Sequence, residues 1–77
     1  MIRTLTEQIV MAIVDCPEEV VVHEKKGLYT LLIRIETKKS DVGYVIGRSG
    51  KIIKSIRLIL QAAGAKLNKR VVVELLD

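Results

Sequence analysis

The chain has 77 residues, 49% of them hydrophobic, and a formal net charge of +4. This length predicts one domain, residues 1–77, and the single cysteine excludes an internal disulfide, which favours a reducing compartment. Because its N-terminal apolar run, residues 9–14, is too short for a membrane span or a signal peptide, we expect a soluble cytoplasmic protein.

A first helix is predicted before Pro17, which ends it. Thr4 and Glu7 form a capping box at its start. Apolar residues that recur at helical spacing would face the core, namely Leu5, Ile9, Ala12, Ile13 and Cys16. Three more apolar residues lie off this stripe: Val10, Met11 and Val14. The helix is therefore either wedged between neighbours or takes part in a subunit contact.

Two strands follow, over residues 20–24 and 28–37, because both stretches are rich in β-branched and apolar residues. The short turn at residues 25–27 makes them an antiparallel hairpin. One face of the second strand is apolar, with Tyr29, Leu31, Ile33 and Ile35. The other face becomes polar towards its end, which indicates a central strand that is buried on one side.

The second half of the chain is predicted to hold two helices and a strand. Ser40 or Asp41 would cap a short helix at 42–46, and a longer helix would run from Lys51 to about Ala63, ended by Gly64. Its core arc comprises Ile52, Ile53, Ile56, Ile59, Leu60 and Ala63. Leu58 lies outside this arc, where it would pack on the first helix or form a contact patch. A last strand occupies residues 71–75.

The predicted order is α-β-β-α-α-β. A strand that leads through two helices to another strand is most simply a right-handed crossover to a parallel neighbour. The sequence therefore predicts an α+β fold, with a three-stranded mixed sheet and helices on one face.

A glycine loop separates the last two helices, with the sequence Gly47-Arg48-Ser49-Gly50. Glycine permits positive φ and close backbone approach, and free N–H groups at a helix N-terminus attract anions. From residue 42 to residue 73 the chain has seven Lys or Arg and no Asp or Glu. Such a one-sided charge favours nucleic acid first and an anionic membrane second, while a basic surface kept for solubility is the plainer alternative.

The stretch Val-Ile-Gly-Arg-Ser-Gly-Lys-Ile-Ile at 45–53 resembles the core of a KH domain, whose G-x-x-G loop holds about four nucleotides of single-stranded backbone. The element order is that of the type II KH fold. In length and motif, the whole chain is similar to the small bacterial single-KH proteins of the KhpA type. Carried onto this sequence, the resemblance implies RNA contacts by Ile46, Gly47, Arg48, Ser49, Gly50 and Ile53. The charges of Lys51 and Lys54 would extend the positive track for the RNA backbone.

The resemblance implies binding of single-stranded RNA with low sequence specificity, as an RNA chaperone or a post-transcriptional regulator. It also implies an alternative, an interaction module that acts as a homodimer or as the partner of a second KH-containing protein. Binding at a membrane surface is the weakest alternative, because the apolar face of the basic helix is needed for the core.

Other functions lack the residues that they need. The glycine loop fails the Walker A pattern, and one histidine with one cysteine is too few for a structural zinc site or a Ser-His-Asp set. His23 is expected on a strand surface and Cys16 in the core. The two aromatic side chains, Tyr29 and Tyr44, are too few for base-stacking platforms of the RRM or OB type. We therefore predict a binding protein with no cofactor, no metal and no catalytic residues.

Overall fold

The computed structural model describes all residues, Met1–Asp77. Its helices are α1 (Ile2–Ile13), α2 (Val42–Ile46) and α3 (Lys51–Lys66), and its strands are β1 (Val21–Lys26), β2 (Thr30–Glu36) and β3 (Arg70–Leu76). Short 3-10 turns precede β1, α2 and α3. The predicted order of elements is confirmed. Even α3, the longest helix, lacks the length and apolarity needed to cross a membrane.

The three strands form one mixed sheet in the order β1-β2-β3. β1 runs antiparallel to β2, with Val22 opposite Ile35, and this pairing confirms the predicted hairpin. β3 runs parallel to β2, with Val73 opposite Ile33. The connection through α2 and α3 is thus the predicted crossover, and it brings the start of β3 beside the start of β2.

One face of the sheet is buried and the other is open. Along β2 the side chains of Leu31, Ile33 and Ile35 are buried, whereas Arg34 and Glu36 are exposed, as the alternation predicts. Tyr29 does not belong to the buried set. It lies before β2, in the turn, where its side chain is exposed.

The core lies between the buried face of the sheet and the helices that cover it. Helix α1 packs on β1, and α3 packs on β3, α2 and α1. The buried cluster consists of Ile2, Val10, Val22, Leu31, Ile33, Ile35, Val45, Ile53, Ile56, Leu60, Val71 and Val73. No aromatic side chain enters this core, because both tyrosines are exposed.

The stripe by which α1 faces the core differs from the predicted one. The helix begins at Ile2 with no side-chain cap, so the predicted capping box is wrong. Its buried residues are Ile2, Thr6 and Val10, while Leu5, Ile9 and Ile13 are half-buried beside them. Thr6 is tolerated in the core because its hydroxyl donates to the Ile2 carbonyl at 2.7 Å.

Two further predictions about α1 are corrected. Ala12 is exposed, and Cys16 lies beyond the end of the helix, half-buried. Of the residues off the predicted stripe, Val10 is buried and Val14 packs against the core, so at these two residues the helix is wedged between neighbours and forms no subunit contact. The sequence pattern misplaced the stripe because a polar residue, Thr6, lies at its centre.

Helix α3 is one turn longer than predicted and does not end at Gly64. Gly64 lies inside the helix, and a Cβ placed there would be 2.4 Å from Cγ2 of Val71. The glycine thus lets α3 approach β3 closely, and Asn68, with φ 56°, makes the left-handed turn beyond the helix. Ile52 and Ile59, which were assigned to the core arc, are partly exposed, at 38% and 49%. Leu58 is 70% exposed and does not pack on α1.

Candidate nucleic-acid interface

The glycine loop connects α2 to α3 and bends sharply. Gly47 and Gly50 have φ of 75° and 72°, and Ser49 has φ of 57°. Helix α3 begins at Lys51, directly after the loop, which confirms the predicted start of this helix. Three positive φ angles within four residues make a tight loop that projects from the helix N-terminus.

The two glycines are required for different reasons. A Cβ at Gly47 would lie 2.5 Å from Cγ1 of Ile52, so the backbone passes too close to this side chain for any other residue. A Cβ at Gly50 would meet nothing nearer than the Lys54 side chain, at 3.9 Å. Gly50 is therefore required only for its backbone angle.

Two N–H groups of the loop have no acceptor within the chain. The N–H of Gly47 donates to the Gly43 carbonyl at 2.9 Å, and that of Gly50 donates to the Gly47 carbonyl at 3.2 Å. The N–H groups of Arg48 and Ser49 make no hydrogen bond, and both residues are exposed. These two adjacent donors are available to an external acceptor, such as a phosphate oxygen.

The basic side chains around the loop are not neutralised. Arg34 forms an ion pair with Glu74, and Nε2 of His23 lies 3.1 Å from a carboxylate oxygen of Glu36. Both contacts lie on the open face of the sheet, where His23 was predicted. The exposed cations that follow one another through the loop and along α3 make no ion pair: Arg48, Lys51, Lys54 and Arg57. Together with the free donors, they form a positive surface at the N-terminal end of α3.

Helix α3 packs against β3, which is an edge strand of the sheet. Nη2 of Arg57 donates to the Val73 carbonyl at 3.5 Å, so this side chain reaches towards the strand rather than continuing straight along the helix. The two apolar residues that bracket the loop differ in exposure. Ile46 is partly exposed beside the loop, whereas Ile53 is 7% exposed and belongs to the core. Ile53 thus anchors α3 under the loop.

Asp41 holds the short helix that leads into the loop, a role that the sequence did not predict. The residue precedes α2, as predicted, but its side chain caps no helix. Its carboxylate is 1% exposed and accepts hydrogen bonds from the N–H of Cys16 at 3.0 Å and of Asp15 at 3.4 Å. It therefore ties the segment after α1 to the short helix that leads into the loop. No sequence signal connects positions 25 or 26 residues apart.

Two titratable side chains near this anchor are perturbed. The negative charge of Asp15 raises the pKa of Tyr44, and desolvation raises the pKa of the Cys16 thiol. Both groups are neutral at pH 7, and a protonated thiol is a poor nucleophile. Tyr44 is half-exposed beside an acidic group, which is an unfavourable neighbour for a phosphate.

Comparison with known proteins identifies the family. Residues 3–75 match the family model described as "KhpA/KhpB, KH domain". The chain is 43% identical to the RNA-binding protein KhpA of Clostridium acetobutylicum, over 96% of this chain and 99% of that protein. It is 36% identical to the RNA-binding protein KhpA of Aquifex aeolicus, over 99% of this chain and 96% of that protein. The chain belongs to the KhpA/KhpB family of KH domains.

Membership of the KhpA/KhpB family confirms the predicted resemblance, and the mixed sheet with its crossover is consistent with a type II KH fold. It also confirms that the chain is not an enzyme, because this is a family of binding proteins and its members carry RNA binding in their names. A third relative with this name, from Borreliella burgdorferi, is 41% identical over 95% of the chain and 89% of that protein.

Proposed function

We propose that this chain binds single-stranded RNA through the loop at residues 47–50 and acts as an RNA chaperone or a post-transcriptional regulator. The loop and its exposed flanking residues supply the contacts, namely Ile46, Gly47, Arg48, Ser49, Gly50, Lys51 and Lys54, while the buried Ile53 holds α3 in place beneath them. Since the ligand is cellular RNA, we place this activity in the cytoplasm. Residues 1–77 act as one KH domain.

One observation carries the proposal, the convergence of two free N–H donors and unpaired cations at an exposed loop. The N–H groups of Arg48 and Ser49 donate to phosphate oxygens, and the guanidinium of Arg48 binds a phosphate through two hydrogen bonds. Lys51 and Lys54 attract the next phosphates. These groups surround the start of α3, whose helix dipole adds to the same field.

Low sequence specificity follows from the kinds of contact. Hydrogen bonds to phosphates position a strand but carry no base information. The apolar surface beside the loop comes from aliphatic side chains, chiefly Ile46 and Ile52, which contact any base without reading its edge. We assign any remaining base preference to Arg57, whose charged side chain reaches the edge of β3.

The experiment is a salt series of RNA binding with a loop variant that carries both Arg48→Asp and Ser49→Asp. Binding of a labelled single-stranded RNA by the unaltered protein should weaken steeply with salt, with a slope of about −0.7 per phosphate contact in a plot of log K against log salt. The variant should lose binding because it replaces donors with carboxylates, while its thermal unfolding should change little since both residues are exposed.

A matched control separates the loop from overall charge. Lys39→Asp with Ser40→Asp makes the same charge change in two adjacent exposed residues outside the loop. This control should retain most of the affinity. If the two double variants weakened binding equally, the charge would act diffusely and the loop would not be the site. Single-stranded DNA of the same sequence tests the preference for RNA.

A second candidate function, assembly with another KH domain, is favoured by the exposure of consecutive apolar residues on α3. Leu58 and Ile59 both face solvent, and Met11 on the neighbouring helix α1 is also exposed. A second copy of this chain, or a second KH-containing protein, would cover these side chains. Light scattering should then give a dimer mass that Leu58→Glu returns to the monomer. A monomer mass at all concentrations, alone and with such a partner, would reject this candidate.

A further inference from the structure

The turn between β1 and β2 meets the connection between α3 and β3 at the end of the molecule opposite the glycine loop. Nζ of Lys69 donates to the Gly27 carbonyl at 2.8 Å, and the N–H of Arg70 donates to the Tyr29 carbonyl at 2.9 Å. Two segments that are 42 residues apart in the chain thus form one continuous surface. We call this surface, residues 25–29 and 66–70, the hairpin patch.

The hairpin patch is strongly positive and has no internal counter-ion. It carries five basic side chains: Lys25, Lys26, Lys66, Lys69 and Arg70. None of them makes an ion pair, and neither segment contains an acidic residue. Glu24 is the one carboxylate in the cavity that adjoins the patch, which Lys26 and Lys69 also line. Five like charges on two contacting segments repel one another, and an external polyanion relieves this repulsion.

The exposed aromatic ring of Tyr29 lies among the cations of the hairpin patch. Tyr29 is 74% exposed, at the tip of the turn, with its backbone held by Arg70. A ring that projects into solvent contributes little to folding, so stability does not account for it. An aromatic side chain among cations is the arrangement on which proteins stack the bases of single strands while binding their phosphates. Leu28, also exposed, adds apolar surface beside the ring.

The hairpin patch is separate from the glycine loop. Lys51 and Lys66 mark the two ends of α3, and fifteen residues at 1.5 Å each place them about 22 Å apart along the helix axis. Residues 58–65, between the two basic surfaces, carry no charge. Four nucleotides at the loop, spaced at about 3.4 Å as in a stacked strand, extend about 14 Å and stop short of the patch.

We propose that the hairpin patch is a second contact site for single-stranded RNA, with Tyr29 stacking on a base and the five cations binding phosphates. The protein then holds a longer strand, or two strands, at both ends of α3. This inference rests on the proposed function for the loop. It adds that affinity depends on RNA length beyond the four nucleotides that one loop holds.

The test measures the binding of uridine oligomers of four and sixteen nucleotides to two proteins. One is the unaltered full chain, and the other is a double variant that carries Lys26→Glu and Lys66→Glu. Binding of the long oligomer, followed by fluorescence anisotropy, should weaken roughly ten-fold or more, and its salt slope should fall by about 1.4 for two lost phosphate contacts. Binding of the short oligomer, followed by NMR shifts of the loop amides, should stay unchanged. Tyr29→Ala should also weaken only the long oligomer.

The control variant carries Lys38→Glu and Lys39→Glu, the same charge change at the other end of β2. It should keep the advantage of the long oligomer over the short one. Unchanged binding of the long oligomer by the patch variant would overturn the proposal, and so would a loss that the control shared in full.

The two proposals can fail separately. If Arg48→Asp with Ser49→Asp leaves the short oligomer bound, the loop is not the site. The effect of the patch variant on the long oligomer still decides whether the hairpin patch binds RNA. If the loop variant abolishes binding of the short oligomer and the patch variant changes nothing, the loop stands and the patch is only a solvated surface.

Discussion

The two ends of α3 carry basic surfaces that are built in different ways. At the loop end, four consecutive residues with three positive φ angles shape the backbone, which itself supplies two hydrogen-bond donors. At the hairpin end, ordinary turns bring together side chains from two distant segments, and the exposed amine of Lys69 holds them. One surface is made by the backbone, and the other by side chains.

This difference predicts how each end responds to substitution. The loop depends on close approach at Gly47 and on the buried carboxylate of Asp41, so substitution of either residue should affect both stability and binding. The cations of the hairpin patch are mostly exposed, and their loss should affect binding alone. The substitutions that follow test this comparison.

The largest loss of stability is expected from Asp41→Ala. Two N–H groups lose a buried charged acceptor, which should lower the free energy of unfolding by about 3 kcal/mol. Asp41→Asn keeps one accepting oxygen and should lose about half as much. Urea unfolding followed by circular dichroism measures both, with Ser40→Ala as the exposed neighbouring control. A loss no larger than that of the control would show that Asp41 is not the anchor of the loop.

The two glycines of the loop should differ in their sensitivity to alanine. Gly47→Ala forces a Cβ against Ile52 and also strains the backbone, at a cost of about 2 kcal/mol in unfolding free energy. Gly50→Ala meets no close atom, and the unfavourable φ alone should cost about 1 kcal/mol. Chemical denaturation of both variants ranks them. Equal losses would mean that backbone angle, not close approach, controls position 47.

Gly64→Ala tests the helix packing that joins the two ends. The added Cβ would lie 2.4 Å from Cγ2 of Val71, and this overlap should lower the free energy of unfolding by about 2 kcal/mol. The higher helix propensity of alanine should raise it by about 1 kcal/mol. The net loss should be about 1 kcal/mol by thermal unfolding. Gly43→Ala is the matched control, since a Cβ in α2 meets nothing within 4 Å and should raise stability by about 0.5 kcal/mol. Stabilisation by both variants would contradict the close contact.

The smallest change of stability is expected at the hairpin end, from Lys69→Ala. The hydrogen bond to Gly27 is exposed, so its loss should change the unfolding free energy by less than about 0.5 kcal/mol. The same variant should bind a sixteen-nucleotide RNA more weakly. A large loss of stability would show that the amine of Lys69 is structural, and the contrast between the two ends would disappear.

The elements of the fold were predictable because they depend on local patterns. Alternating apolar residues gave β2 its buried face, and the polar turns marked the hairpin and the loop. Helix α2 has the predicted bounds. The helix faces were harder to predict. Val10 is buried although it lies off the apparent stripe, and Ile59 is exposed although it lies on one, because neighbouring elements decide which side of a helix is covered.

In the candidate site, too, the local features were predictable and the long-range contacts were not. The glycines and cations at 47–54 were evident in the sequence, since each acts through its own backbone angle or charge. The anchoring role of Asp41 and the exposure of Tyr29 were not, because the first depends on backbone donors 25 and 26 residues away and the second on where β2 begins.

The sequence by itself determined the order of elements, the loop and the acid-free stretch that contains it, because these depend on residue types at short spacing. Only the tertiary structure decided that Gly64 serves close helix–strand packing rather than helix termination, and that Lys26 and Lys69 line one cavity. Contacts between distant segments are set by how the whole core packs, and no local pattern carries that information.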